Sequence, residues 1–317
     1  MKAILLCAVL IGCGGSGTPG GDDDDTPNDG PGAIVDSPPI PDGFVRLMGR
    51  TWTLPAPSGS TPDEYRCVRF TPTEDMFITS IQAQAPVGTH HTVLSIAGSN
   101  GTSGADGVDD SCDFQNIGMV MLYASGLNES KLDFPTDVGL HIKAGEQLHL
   151  NLHLFNATDF PISGDTAILV KAQPTAPPTL AEMVFAGKFI FQVQAGTPEM
   201  PKTTTVTGGC NNTRTFTTFA VWPHMHQLGS HQKVSVVRGG NTTVLHDGDY
   251  SFQEQNYYLQ DPMFDVLPGD RINVECTWVN TGAATSFGES STQEMCFSGF
   301  YRFPAQNAGL FECASEF

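Results

Sequence analysis

Five of the nine histidines fall in three compact motifs. They are His90-His91 after Gly88-Thr89, His153 in Asn151-Leu152-His153, and the triplet His224-Met225-His226. Histidine is the commonest metal-binding side chain, because a neutral imidazole keeps one ring nitrogen unprotonated. His224 and His226, two apart on an extended chain, share one face and can reach one ion. The proline at 223 suggests an edge or a bulge there. His90 and His91 on a regular strand point to opposite faces, so joint ligation needs a turn or bulge near Gly88. His153, from another strand, can add a third nitrogen. Three imidazoles suit copper or zinc and discriminate poorly between them. His141, His231 and His246 lie outside these motifs and read as ordinary hydrogen-bonded histidines. His149 shares a face with His153 and can support it from behind.

The elements that must carry these residues read as strands. Gln147 to Leu154 alternates strictly, with Leu148, Leu150, Leu152 and Leu154 on one face and His149, Asn151 and His153 on the other. That pattern predicts a half-buried strand whose second face meets chemistry or water. Residues 233–237, 271–279 and 295–303 also read as strands, with turns at Gly239-Gly240-Asn241 and Pro268-Gly269-Asp270. No long amphipathic helix is evident. The composition agrees: 34 Gly, 22 Pro and 15% charged residues in 317 suit short strands and turns. At this length two domains are expected. The proline cluster at residues 173–178 divides the chain into halves of similar size. The expected organisation is therefore all-β, with two tandem antiparallel β-sandwich, jelly-roll-like domains over 43–174 and 182–317, joined by a linker at 175–181.

Residues 1–12 carry Lys2, an apolar run from Ala3 to Ile11, and Gly12 directly before Cys13. The run is an export signal, too short to span a membrane. The order Leu10-Ile11-Gly12-Cys13 resembles a bacterial lipobox, in which the cysteine takes the lipid. Residues 13–42 then read as a lipidated flexible tether, rich in Gly, Pro, Thr and Asp. The expected location is the bacterial cell envelope, outside the cytoplasm, with the lipid anchor as the sole membrane contact. The net charge of −19, with 15 Lys and Arg in all, argues against nucleic acid as a partner. Nothing in the sequence indicates a protein partner.

Once Cys7 leaves with the signal and Cys13 takes the lipid, six of the eight cysteines remain. An even number suits disulfides in an exported chain. Their spacing alone leaves all fifteen pairings open. No C-x-x-C, H-E-x-x-H or G-x-S-x-G motif is present, so thiolate zinc, zinc-hydrolase and serine-hydrolase readings lack support.

Taken in order, the motifs resemble those of the copper type II, ascorbate-dependent monooxygenases. The ordered set is the His90-His91 pair, Met121-Leu122-Tyr123-Ala124, the strand ending at His153, Cys210, His224 to Gly229, and Ser290 to Cys296. The resemblance spans nearly the whole mature chain, from about Glu64 to Cys313. It implies two copper ions per chain: one on His90, His91 and His153 that stores an electron, and one on His224, His226 and Met295 where dioxygen and substrate meet. A soft thioether favours Cu(I), the state that can react with dioxygen. The resemblance also implies disulfides Cys67–Cys112, Cys210–Cys313 and Cys276–Cys296.

Two departures concern the substrate. Where the peptide-hydroxylating members hold a substrate carboxylate with an arginine and a tyrosine, this chain has Trp222 and Gly299. A peptide carboxylate is thus an unlikely ligand, and Trp222, Phe297 and Gly299 are expected to line a site for a small apolar or aromatic molecule. The expected activity is hydroxylation of a C–H bond with dioxygen and a reductant such as ascorbate. A copper-binding carrier lipoprotein on the same fold is the alternative.

Overall fold

The computed structural model describes residues 35–56, 64–98, 103–110, 112, 119–127, 131–307 and 309–315. The expected signal, Cys13 and much of the tether lie outside the described residues. Among the described residues every regular element is a strand, and no helix is long and apolar enough to cross a membrane.

In the N-terminal half the principal strands are β1 (Val45–Leu54), β2 (Glu64–Phe70), β3 (Met76–Gln84), β4 (Thr89–Ile96), β5 (Val120–Ser125), β6 (Val138–Ile142), β7 (Leu148–Leu154) and β8 (Ile162–Gln173). The C-terminal half has β9 (Thr179–Lys188), β10 (Lys202–Asn211), β11 (Phe216–His224), β12 (Gly229–Arg238), β13 (Asn241–Asp249), β14 (Tyr258–Val266), β15 (Arg271–Asn280), β16 (Cys296–Phe303) and β17 (Cys313–Ser315). The turns expected at 239–241 and 268–270 are present. Gly239, Gly240 and Gly269 take positive φ values of 55°, 85° and 92°, which a side chain resists.

One large sheet runs through both halves in the order β8-β3-β6-β9-β16-β11-β14, with β1 on β8 and β17 on β9. A smaller sheet, β2-β7-β4-β5, covers it in the N-terminal half, and β10-β15-β12-β13 is the second sheet of the C-terminal half. The layers make a β-sandwich arrangement with mainly antiparallel ladders. The join is parallel: Thr179, Leu180 and Ala181 pair with Val138, Gly139 and Leu140. Residues 179–181, expected as the end of a linker, are thus already sheet. The apolar core crosses the join as well, since Ile78, Leu94, Leu150 and Tyr123 belong to one buried cluster with Phe185, Trp222, Phe297 and Tyr301.

Two strands show how pattern becomes burial. In β15 Ile272, Val274, Cys276 and Trp278 are buried, and alternate with residues that reach solvent. β7 is more deeply buried than the half-buried strand expected: all seven residues are buried, and its second face carries His153 of the histidine cluster. It lies between β2 and β4, so its leucine face fills the sandwich and its polar face is covered within the fold.

All three disulfides have the pairing that the resemblance implied: Cys67–Cys112, Cys210–Cys313 and Cys276–Cys296. The third joins β15 to the first residue of β16, next to Met295.

Candidate active site

The first histidine cluster is made by an irregularity in β4. Thr89 N–H donates to Pro86 O in a turn that holds Gly88 at φ 101°. The ladder with β7 then pairs His153 with His91 but Leu154 with Thr89, so His90 is the extra residue of a β-bulge. A bulge breaks the alternation that would send neighbouring side chains to opposite faces. In consequence, His91 Nδ1 lies 3.0 Å from His90 Nδ1 and 3.4 Å from His153 Nδ1. Three nitrogens bound to one ion at about 2.0–2.1 Å would stand roughly 3.3–3.5 Å apart, so the donor set fits a single metal ion. His149, on the same strand face as His153, is buried but lies outside this cluster. His141 pairs with Asp75, His231 pairs with Asp247, and His246 packs against Tyr258.

The second cluster forms where β11 ends. Past Val221 its neighbour β14 no longer pairs, so Pro223 faces an open edge and costs no ladder bond there. His224 is the last strand residue, and His226 sits in the turn closed by Gly229 N–H donating to His226 O. Their ring centroids are 5.3 Å apart. The two imidazoles are therefore brought together by a turn after the strand and not by alternation along it. Met295, just before β16, lines the same cavity as both rings.

Hydrogen bonds fix which nitrogen is available in His91, His224 and His226. His226 Nδ1–H donates to Gln293 O at 3.2 Å. Phe252 O accepts from His91 Nε2–H at 2.8 Å and from the Gln255 side-chain amide at 3.3 Å. Gln255 Oε1 then accepts from His224 Nδ1–H at 3.0 Å. Turning the Gln255 amide round would set its oxygen against Phe252 O, two acceptors facing each other, so one assignment is favoured. It leaves His91 with an unprotonated Nδ1, and His224 and His226 with unprotonated Nε2. Burial keeps these rings neutral: it holds His91 well below its ordinary range, His224 at about 4 and His226 at about 3. Neutral imidazoles with oriented tautomers are what a soft or borderline metal ion binds.

Both clusters open on one cavity of about 150 Å3, whose apolar wall includes Phe185, Trp222, Phe297, Leu310 and Phe311. Phe252 stands between the clusters, its ring 4.6 Å from His91 and 5.8 Å from His226. Trp222 stacks on His224 at 4.9 Å and 12°. Of the expected lining residues, Trp222 and Phe297 reach the cavity. Gly299 does not: it pairs with Trp222 in the ladder, and a side chain there would press on Met183 and the back of Trp222.

Sequence reasoning missed Gln255, Phe252, Phe311 and Glu294. Glu294 is fully buried; its Oε2 accepts from Trp278 Nε1–H at 2.7 Å and His226 N–H at 3.0 Å, and its Oε1 accepts from Leu228 N–H at 2.7 Å. It fixes the His224–Leu228 turn beside Met295. Its position next to that methionine was its sole signal, and sequence does not reveal which backbone donors a carboxylate will meet.

The fold and the two imidazole sets define an all-β protein with a candidate metal site built from histidine nitrogen donors. Residues 183–316 match the family model of the copper type II ascorbate-dependent monooxygenase, C-terminal domain. That stretch contains the His224–His226 turn, Met295 and two of the disulfides, and it is similar to a copper monooxygenase-type C-terminal domain over those residues. Among solved structures, the chain is similar to the major capsid protein P2 of bacteriophage PM2, at 10% identity and TM-score 0.34, over 80% of this chain and 96% of that one. It is also similar to an allantoicase, at 10% identity and TM-score 0.20, over 72% of this chain and 78% of that one. At these scores the likenesses carry no argument.

Proposed function

We propose that the chain is a copper-dependent monooxygenase that hydroxylates a C–H bond of a small apolar or aromatic molecule, with ascorbate or an equivalent reductant. One observation carries the reading: two histidine clusters, with neutral rings of oriented tautomer at His91, His224 and His226 and the Met295 thioether lining the same space, face a single largely apolar cavity. Overall, R–H, O2, two electrons and two protons give R–OH and water, and the reductant supplies the electrons.

Copper bound at these donors would supply the one-electron chemistry and dioxygen activation that side chains lack. Nδ1 of His90, His91 and His153 would hold one ion. Nε2 of His224 and His226, with the Met295 thioether, would hold the other, the sulfur favouring Cu(I). Gln255 and Gln293 O orient the second pair of rings, and Phe252 O orients His91. Trp222, Phe185 and Phe297 exclude water from the cavity and offer a substrate dispersion contacts without a fixed charge.

The test is copper content of the reconstituted protein together with ascorbate-dependent product formation, for the natural chain and for Met295→Ala. Two coppers per chain in the natural protein, and loss of product with the first site still loaded in the variant, are expected. Two coppers with no product from any small apolar C–H substrate would leave a carrier on the same fold. A single zinc, unaffected by Met295→Ala, would overturn the reading. The lipobox at Leu10–Cys13 supports an exported, lipid-anchored form, to be checked by membrane release on Cys13→Ser.

A further inference from the structure

The C-terminal segment 309–315 closes one side of the cavity and is held along its length. Phe185 N–H donates to Leu310 O at 2.6 Å, and β17 adds a parallel ladder from Cys313 to Ser315 against β9. Glu312 meets Arg302, 1% exposed, at 2.8 and 3.2 Å. The next residue, Cys313, is bonded to Cys210. Between these fastenings the Phe311 ring stacks on Phe185, 5.4 Å and 17° away, and lies 5.3 Å from Phe297 and 5.0 Å from Phe189. Phe311 is half-buried, with Leu310 and Phe311 both facing the cavity.

We propose that this strap is a fixed wall which limits the site to a single ring, with Phe311 as the specificity-determining residue. The inference rests on the reading of the cavity as the substrate site. The cavity is open on one side and measures about 150 Å3, the volume of an enclosed apolar cavity that takes one benzene ring. The described residues lining it include Glu289 but no lysine or arginine, so no side chain there anchors a carboxylate. The ligand class is therefore a monocyclic aromatic that bears an aliphatic C–H and no carboxylate. A wall pinned by an ion pair, a disulfide and a strand cannot swing aside for a second ring.

The test is equilibrium binding of ethylbenzene and 2-ethylnaphthalene to the purified protein, metal-free and copper-loaded, in the natural chain, Phe311→Ala and Phe311→Leu. The natural chain is expected to favour ethylbenzene by about ten-fold or more. Phe311→Ala is expected to bring the ratio to one or invert it, and Phe311→Leu to move it the same way by less. A purely structural role would lower both affinities together and leave the ratio unchanged, and that result in either folded variant overturns the inference. If Phe311→Ala fails to fold, the ratio in Phe311→Leu decides. Copper content, measured on the same samples, separates the two readings: copper bound without ring discrimination removes the strap inference alone. Discrimination without copper removes the monooxygenase reading alone.

Discussion

His224 and Gln255 are joined by a hydrogen bond of 3.0 Å, and the same Gln255 amide reaches Phe252 O, which orients His91. One glutamine thus sets the imidazole orientation at one cluster and touches the acceptor that sets it at the other. Gln255→Leu is expected to leave the fold and the first cluster's loading intact while weakening Cu(I) binding at the methionine side by about ten-fold or more. Competition titration with a Cu(I) chelator reads this out, and equal affinity in the variant would remove Gln255 from the orienting role.

Gly88 permits the bulge that aligns His90 with His91. A β-carbon there would meet Trp52 at 2.6 Å and Ile162 at 2.7 Å, on a backbone with φ 101°. Gly88→Ala is expected to cost about 2–3 kcal/mol from strain and overpacking together. It should also halve the copper content by spoiling the first cluster. Urea unfolding and metal analysis check both, and retained two-copper loading would show that the bulge forms without the glycine.

Glu294 accepts three buried N–H groups from Trp278, His226 and Leu228. Glu294→Ala leaves those donors unpaired, at about 1–3 kcal/mol each before relaxation. The expected loss is on the order of 3 kcal/mol in urea unfolding. Glu294→Gln keeps one acceptor oxygen and should lose less. Equal losses in the two variants would mean that the carboxylate acts by filling space.

The metal-free protein should lose stability as pH falls from about 6.5 to about 4. Burial holds His224 at about 4, His226 at about 3 and His149 at about 4, while the unfolded rings take protons near pH 6.5. In that window the unfolded state binds more protons, so stability rises with pH. Glu294, pushed up to about 7 by burial, works in the opposite direction between about 7 and its ordinary 4.5. These three rings against Glu294 give a net of about two protons, about 3 kcal/mol per pH unit near pH 5.5, and His91, held well below its ordinary range, adds to it in the same direction. Urea midpoints of the metal-free protein at pH 7 and pH 5 measure it. A flat profile would mean that these rings are protonated in the folded chain.

By itself the sequence determined the all-β class, the strands read at 147–154 and 271–279, the glycine turns and the histidine motifs. Alternation and turn chemistry are local properties, written in consecutive residues. The ordered family motifs added the three disulfide pairings that the structure contains. Only the tertiary structure decided that β7 is buried on both faces, because burial depends on what packs above a strand. The fusion of the halves through Thr179–Ala181 escaped the proline signal for the same reason, since parallel partners lie about 40 residues apart in the chain. Gln255 and Phe311 carry no sequence pattern, and Glu294 carries only its place beside Met295. Their roles arise where three distant segments meet, and a hydrogen-bond partner or a ring contact is chosen by the packed fold and not by neighbours in the chain.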